Sequence, residues 1–158
     1  MEEFYLELME YLEQHAQDLG LATLDEDYGQ LEAMLNGEDG YPITFPALLI
    51  AFSEVQWSEP KPVRDQRGAL LVTTRLAFDC YDDTHLHAGQ REYAQERYRS
   101  ARHLHGKMRG LQLESIDSSP MVRIASRTVA LPGGIKVYET DYRIRITEPD
   151  PVAPDPAE

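Results

Sequence analysis

The spacing of hydrophobic residues in this chain switches between two periods along its length, and that succession leaves few folds open. From about Glu3 to Leu19 the period is helical. At 100° per residue, Phe4, Tyr5, Leu8, Met9, Leu12, Ala16 and Leu19 share one arc, while Glu3, Glu7, Glu10, Glu13 and Gln14 share the other. Ala47 to Trp57 is a mostly apolar, strand-like run. It is followed by clean period-two alternation, in which Leu70, Val72, Thr74, Leu76, Phe78 and Cys80 face away from Leu71, Thr73, Arg75, Ala77, Asp79 and Tyr81. Helical spacing returns from about Ala88 to Arg109, with Tyr93, Ala94, Tyr98, Ala101, Leu104 and Met108 expected to point inward. Period two resumes in Met121 to Val129 and Ile135 to Thr147. Between them lies Leu131-Pro132-Gly133-Gly134, whose glycines accept the positive φ angles of a tight turn. The order predicts an α+β fold: a mainly antiparallel four-stranded sheet of two hairpins (ββαββ), with the N-terminal and central helices packed on it.

Smaller signals fill in the connections. Gly20 is placed to end the first helix in a left-handed cap. A second, shorter helix is expected from Glu26 to Asn36, with Asp25 as its N-cap, Leu31, Met34 and Leu35 turned inward, and Gly37 closing it. The loop Ser58 to Gly68 is long for a hairpin and carries Lys61, Arg64 and Arg67, which points to a working loop. From Glu148 onward Pro149, Pro151, Pro154 and Pro156 forbid regular structure. The expected organisation is therefore one domain over 1–147 and a disordered, proline-rich acidic tail over 148–158.

Charge divides the molecule more sharply than its net value of -13 conveys. No Lys or Arg precedes Lys61, yet that stretch holds half of the acids, and all 15 bases fall between Lys61 and Arg145. Such polarity suits contacts between unlike faces of neighbouring copies, or different partners on two sides. No apolar run approaches the roughly 18 residues a membrane span requires, so a soluble protein is expected. Met1-Glu2-Glu3-Phe4 has no cationic start of a secretory signal, which points to a cytoplasm. The single cysteine, Cys80, has no partner for an internal disulfide and is expected to be a buried thiol.

Candidate chemistry is sparse. Asp79-Cys80-Tyr81-Asp82-Asp83-Thr84-His85-Leu86-His87 is the densest set of metal-ligand residue types, but it falls in a strand-to-helix connection where Asp-Asp-Thr also reads as a turn and helix cap. His103 and His105 are two residues apart on a helix, so their side chains diverge by about 200° and cannot chelate together. Nucleophile elbow, phosphate loop, dinucleotide fingerprint and paired cysteines are all missing, so neither an enzyme nor a cofactor is expected. On the central helix Arg91, Arg99, Arg102 and Arg109 fall within about 80° of arc, a basic face that raises nucleic-acid binding as an alternative. The acidic first helix would repel a polyanion. Arg97 falls inside the apolar stripe, where it needs a carboxylate partner or an interface.

Two hairpins bracketing one helix, behind an amphipathic helix, resemble the tail-terminator and tail-completion proteins of long-tailed bacteriophages. The most similar stretches are Tyr41 to Ile50 leading into the first long strand, the Arg-bearing loop before Leu70 to Phe78, the helix ending His103 to Met108, and Gly134 to Tyr138 opening the last strand. The second helix and the proline-rich extension depart from that pattern. The resemblance implies an α+β sandwich with helices over one face of a sheet, and a homohexameric ring that caps the tail tube and meets the neck. It also implies tail-tube and neck proteins as partners, DNA only in passage through a lumen, and residence in the host bacterial cytoplasm during assembly and then in the virion tail. The expected subunit or tail interface comprises Lys61, Arg64, Arg67, Arg91, Arg97, Arg99, Arg102 and Arg109, with no catalytic, cofactor or metal residue.

Overall fold

A computed structural model describes residues 1–38, 42–58, 65–81 and 89–149. Its helices are α1 (Glu2–Gln14), α2 (Gln30–Leu35) and α3 (Arg91–Met108). Its strands are β1 (Thr23–Glu26), β2 (Ala47–Trp57), β3 (Gln66–Asp79), β4 (Asp117–Ser118), β5 (Val122–Leu131) and β6 (Ile135–Glu148). Both expected hairpins are present. β2 pairs antiparallel with β3, β3 with β6, and β6 with β5. The sheet is wider than the four strands expected, because β1 adds a parallel strand beside β2 and β4 pairs with β6 beyond the end of β5. β4 and β5 share one edge of β6, interrupted at Ser119, Pro120 and Met121.

β1 occupies residues expected to cap and open a helix. Thr23-Leu24-Asp25-Glu26 is too short to show period-two alternation, and its pairing with Ala47 to Ile50 is a non-local choice that local patterning does not reveal. α2 consequently starts at Gln30, and Asp27 replaces Asp25 in the turn before it, where its carboxylate accepts the Gly29 N–H at 3.1 Å. Regular α1 also stops short, at Gln14, with further turns to Gly20. Gly20 does terminate them as expected: at φ +68° it lets its own N–H reach the Gln17 carbonyl and the Leu21 N–H reach that of Ala16.

α1 and α3 cover one face of the sheet. Phe4, Leu8 and Leu12 from α1 and Leu104 and Met108 from α3 meet Leu48 and Ile50 of β2, Leu70, Val72, Leu76 and Phe78 of β3, and Tyr138, Tyr142, Ile144 and Ile146 of β6. Each fully buried large side chain is worth about 1.5–3 kcal/mol, so packing holds α1, whose glutamates give no help to an isolated helix. Phe52 continues this face after Leu48 and Ile50, with its ring 5.6 Å from those of both Phe4 and Tyr5, and a bulge at Ser53 then brings Val55 onto the same face. Glu7 adds a polar clamp, accepting the Glu114 and Ser115 N–H groups at 2.7 and 2.8 Å. Burial pushes the Glu7 carboxyl upward, but those donors outweigh it and hold the group below its ordinary value.

The opposite face is covered only at one end, where Leu31 of α2 packs on Ala47, Leu49, Ala77, Ile135 and Val137. Helices therefore occupy both faces, unlike the one-sided arrangement expected. Beyond α2 this face is a row of charges. Arg75 Nη1 lies 2.9 Å from Asp27 Oδ2, its Nη2 bonds Glu32, and its Nε is 3.6 Å from Glu139. Arg127 then bridges Glu139 and Asp141 at 2.6 and 2.8 Å, and Asp141 accepts the Thr73 hydroxyl at 2.8 Å. Cys80 lies just past β3 and is half-buried, not fully buried; its N–H donates to the Gly134 carbonyl.

Candidate assembly interface

α3 turns its sides to different neighbours. Taking Arg91 as zero and 100° per residue, Ala94, Arg97, Ala101, Leu104 and Met108 fall within about 80° of one another, and this is the stripe that faces the sheet. Tyr93 and Tyr98, expected inside it, flank it instead and are 47% and 54% exposed. Tyr98 still packs edge-on against Tyr138, with ring centroids 5.1 Å apart, and Lys136 Nζ stands 5.7 Å over its ring. Arg97 is half-buried in the stripe beside Tyr138. Burial and the neighbouring Tyr98 raise the pKa of the Tyr138 phenol, and Arg97 pulls partly the other way.

Arg91, Arg99, Arg102 and Arg109 are all exposed, and among the described residues none of the four pairs with an acid. The contacts of α3 with the acidic N-terminal third run instead through its other cations. Asp18 lies 3.2 Å from His103 Nε2 and 2.9 Å from Lys107 Nζ, and Lys107 foremost draws its carboxyl pKa downward. His105 points the other way and stacks on Tyr142, with its Nδ1 3.1 Å from the hydroxyl. Burial, then Arg123 and Arg109, lower the His105 pKa, while burial pushes the Tyr142 phenol up to about 12. The two histidines diverge as helical geometry requires.

The expected interface residues do not form one patch. Arg91, Arg99, Arg102 and Arg109 make a continuous stripe, from which Arg97 is set apart. Arg67 is exposed at the base of the β2–β3 hairpin, in a groove with Trp57, Gly68, Ser118 and Arg145. Its register partner Thr147 is nine residues along β6 from Tyr138, or about 30 Å at strand rise. Lys61 and Arg64 lie outside the described residues, as do all but Asp79, Cys80 and Tyr81 of the candidate metal segment. Among the described residues no group of three or more His, Cys, Asp or Glu side chains is placed to hold a metal ion. No described helix is long and apolar enough to cross a membrane.

The structure extends the basic stripe in a way the sequence pattern did not show. Arg109 and His105 border a groove of about 480 Å³ whose other wall is Met121, Val122 and Arg123 at the start of edge strand β5. Val122 is 60% exposed at its rim, whereas Ile124, 42% exposed, lines a separate depression with Leu71 and Arg143. A register shift between Arg123 and Ala125 breaks the alternation that would mark these residues as facing in or out.

No protein-family model matches the chain, and no curated protein does. Among solved structures, a chain described as "Virion of native gene transfer agent (GTA) particle" is similar over 84% of this chain and 84% of its own length, at 10% identity and a TM-score of 0.50. The two chains share a fold. That fold is the helix-backed sheet described above.

Proposed function

We propose that this chain is a structural component of a phage-like particle. In this reading it is a tail-completion or terminator protein whose copies close into a homohexameric ring that caps the tail tube and joins it to the neck. The observation that carries the reading is the fold shared with a chain of a gene transfer agent virion. The surface supports it physically. A head-to-tail ring needs two different complementary patches on each subunit, and the exposed arginine stripe of α3 and the exposed glutamates of α1 supply opposite charges that have no partner of opposite sign among the described residues.

The work of such a protein is binding, without a chemical step, a cofactor or a membrane. Its partners are further copies of itself, tail-tube proteins and neck proteins. It assembles in the host cytoplasm and resides in the virion tail, with DNA only passing through the lumen. The direct test is to add the purified protein to uncapped tail tubes and image them: rings at one tube end support the proposal, and bare ends at saturating protein reject it. Nucleic-acid binding by the same stripe predicts instead salt-sensitive retention on duplex DNA.

A further inference from the structure

Beyond the row of charges centred on Arg75 and Arg127, the second sheet face carries no cover among the described residues. Arg143 is in register with Leu71 and Val122, Arg145 with Ala69, and Arg67 with Thr147, so all of these side chains belong to this one face. Ile124 lines a depression of about 120 Å³ with Leu71 and Arg143, and a groove of about 640 Å³ takes in Arg67 and Arg145. Gln56 and Ala69 border both, which makes the surface continuous. Arg67, Arg143 and Arg145 are exposed, and none pairs with an acid among the described residues. Of the two acids that also line it, Glu54 accepts from Gln56 at 3.0 Å and Asp117 stands at the β4 end. The face is therefore basic around an apolar centre of Leu71, Val122 and Ile124.

Residues 150–158, outside the described residues, have the complementary chemistry. They hold Asp150, Asp155 and Glu158 and no base, with Val152 and Pro154 in between. Three acids thus match three unpaired arginines, while the preceding Glu148 is already taken by the Met1 ammonium at 3.3 Å. β6 delivers the segment at the arginine end of the face, since Thr147 lines the groove and Glu148 closes the ladder opposite Gln66. At about 3.1 Å per residue in polyproline II form, nine residues reach about 28 Å, against about 13 Å along β6 from Thr147 to Arg143. The exit direction selects the receiving copy. A proline after Glu148 and another after Asp150 favour continued extension, which carries the chain past the sheet end and away from its own face.

We infer that residues 150–158 of one copy lie across the Arg67, Arg143 and Arg145 face of the next, with acids against arginines and Val152 and Pro154 over Leu71, Val122 and Ile124. The inference deepens the ring reading and rests on it for closure and copy number. Donor segment and receiving face differ, so the contact is head-to-tail and propagates. A nucleic acid would satisfy the arginines but leave the apolar centre against polar phosphates, and the net charge of -13 opposes its approach.

Cysteine trapping with full-length chains in a Cys80→Ser background tests the contact. Chains carrying Val152→Cys are mixed with chains carrying Ile124→Cys. Disulfide-linked heterodimers are compared with a Val152→Cys plus Thr128→Cys control, Thr128 being exposed on the opposite face of the same strand. The contact predicts yields several-fold above the control, lost on adding Arg143→Glu and Arg145→Glu to the Ile124→Cys chain and recovered on adding Asp150→Arg and Asp155→Arg to its partner. Yields equal to the control overturn it, even if the wild type caps tail tubes, in which case the ring reading stands and this contact falls. A chain carrying both cysteines that closes on itself and stays monomeric would put the segment on its own face and overturn the contact. Leu6→Cys trapping Ile124→Cys better than Val152→Cys does would give the face to α1, with the same consequence. Specific cross-linking without rings or tube binding keeps the contact and rejects the tail-completion reading. Control-level cross-linking, together with DNA retention abolished by Arg143→Glu and Arg145→Glu, would assign the face to polyanions and overturn the contact.

Discussion

Replacing Arg75 with methionine removes the charge at the centre of the row on the second sheet face while keeping most of the side-chain stem. Arg75 is 14% exposed and Asp27 12%, so the substitution strands one poorly solvated carboxylate; Glu139 keeps Arg127 at 2.6 Å, and Glu32, 49% exposed, rehydrates. Removing one member of a fully buried pair costs about 3–5 kcal/mol, and an exposed pair contributes about 0.2–1 kcal/mol. One stranded partner near the buried limit, with Glu139 losing only its second, more distant cation at 3.6 Å, places Arg75→Met at a loss of about 2–3 kcal/mol on that scale. For a chain of this size the melting temperature then falls by about 4–12 °C.

Urea titration at pH 7 measures the loss directly, with an unchanged m value confirming that the unfolded state is the same. Adding Asp27→Asn to Arg75→Met should recover part of it, because the stranded charge is gone. The pH dependence has a definite sign. Arg75 holds the Glu32 carboxyl below its ordinary value of 4.5, so this stabilisation is complete above that value and disappears as pH falls through the folded-state pKa. The gap between wild type and Arg75→Met should therefore narrow in acid. A loss below about 0.5 kcal/mol, the ordinary range for surface substitutions, or a gap constant into acid, would refute the reasoning.

Other features give shorter tests. A Cβ on Gly68 would lie 2.7 Å from the Trp57 ring and 3.0 Å from Val55, so Gly68→Val should displace the indole, shift its fluorescence to the red and lower stability by about 1–3 kcal/mol; unchanged emission would mean the ring is not seated there. Arg123→Ala removes one of the charges opposing protonation of His105, so its imidazole should titrate at higher pH by NMR, and an unmoved midpoint would separate the two residues. Truncation after Glu148 retains that residue's contact with the Met1 ammonium at 3.3 Å and should leave the melting temperature unchanged, whereas aggregation would give the proline-rich segment a structural role.

The long elements were legible because each buries one face along most of its length. β2 begins and ends where its apolar run does, and the turn at Gly133 and Gly134 has the positive φ angles their identity suggested. β1 was not legible: its four residues take their conformation from β2, and the sequence there reads equally well as the start of a helix. Tyr93 and Tyr98 misled for a related reason. Both lie within a broad apolar arc, but they border the narrower stripe that includes Arg97 and Ala101 and stay largely exposed, Tyr98 reaching the sheet only edge-on at Tyr138. The arginine stripe of α3 could be seen from periodicity. Its continuation across the groove to Arg123 could not, since it depends on a tertiary neighbour and on a bulge.

The central claim is that unlike charged flanks of neighbouring copies adhere and that this adhesion is the activity. Its most direct measurement is tail-tube capping by the triple variant Arg91→Glu, Arg99→Glu and Arg102→Glu, read by electron microscopy beside a urea titration of the same protein. The account predicts a folded chain with near wild-type stability that no longer forms rings on tube ends. Normal capping by that variant, unchanged across salt concentrations, would contradict it.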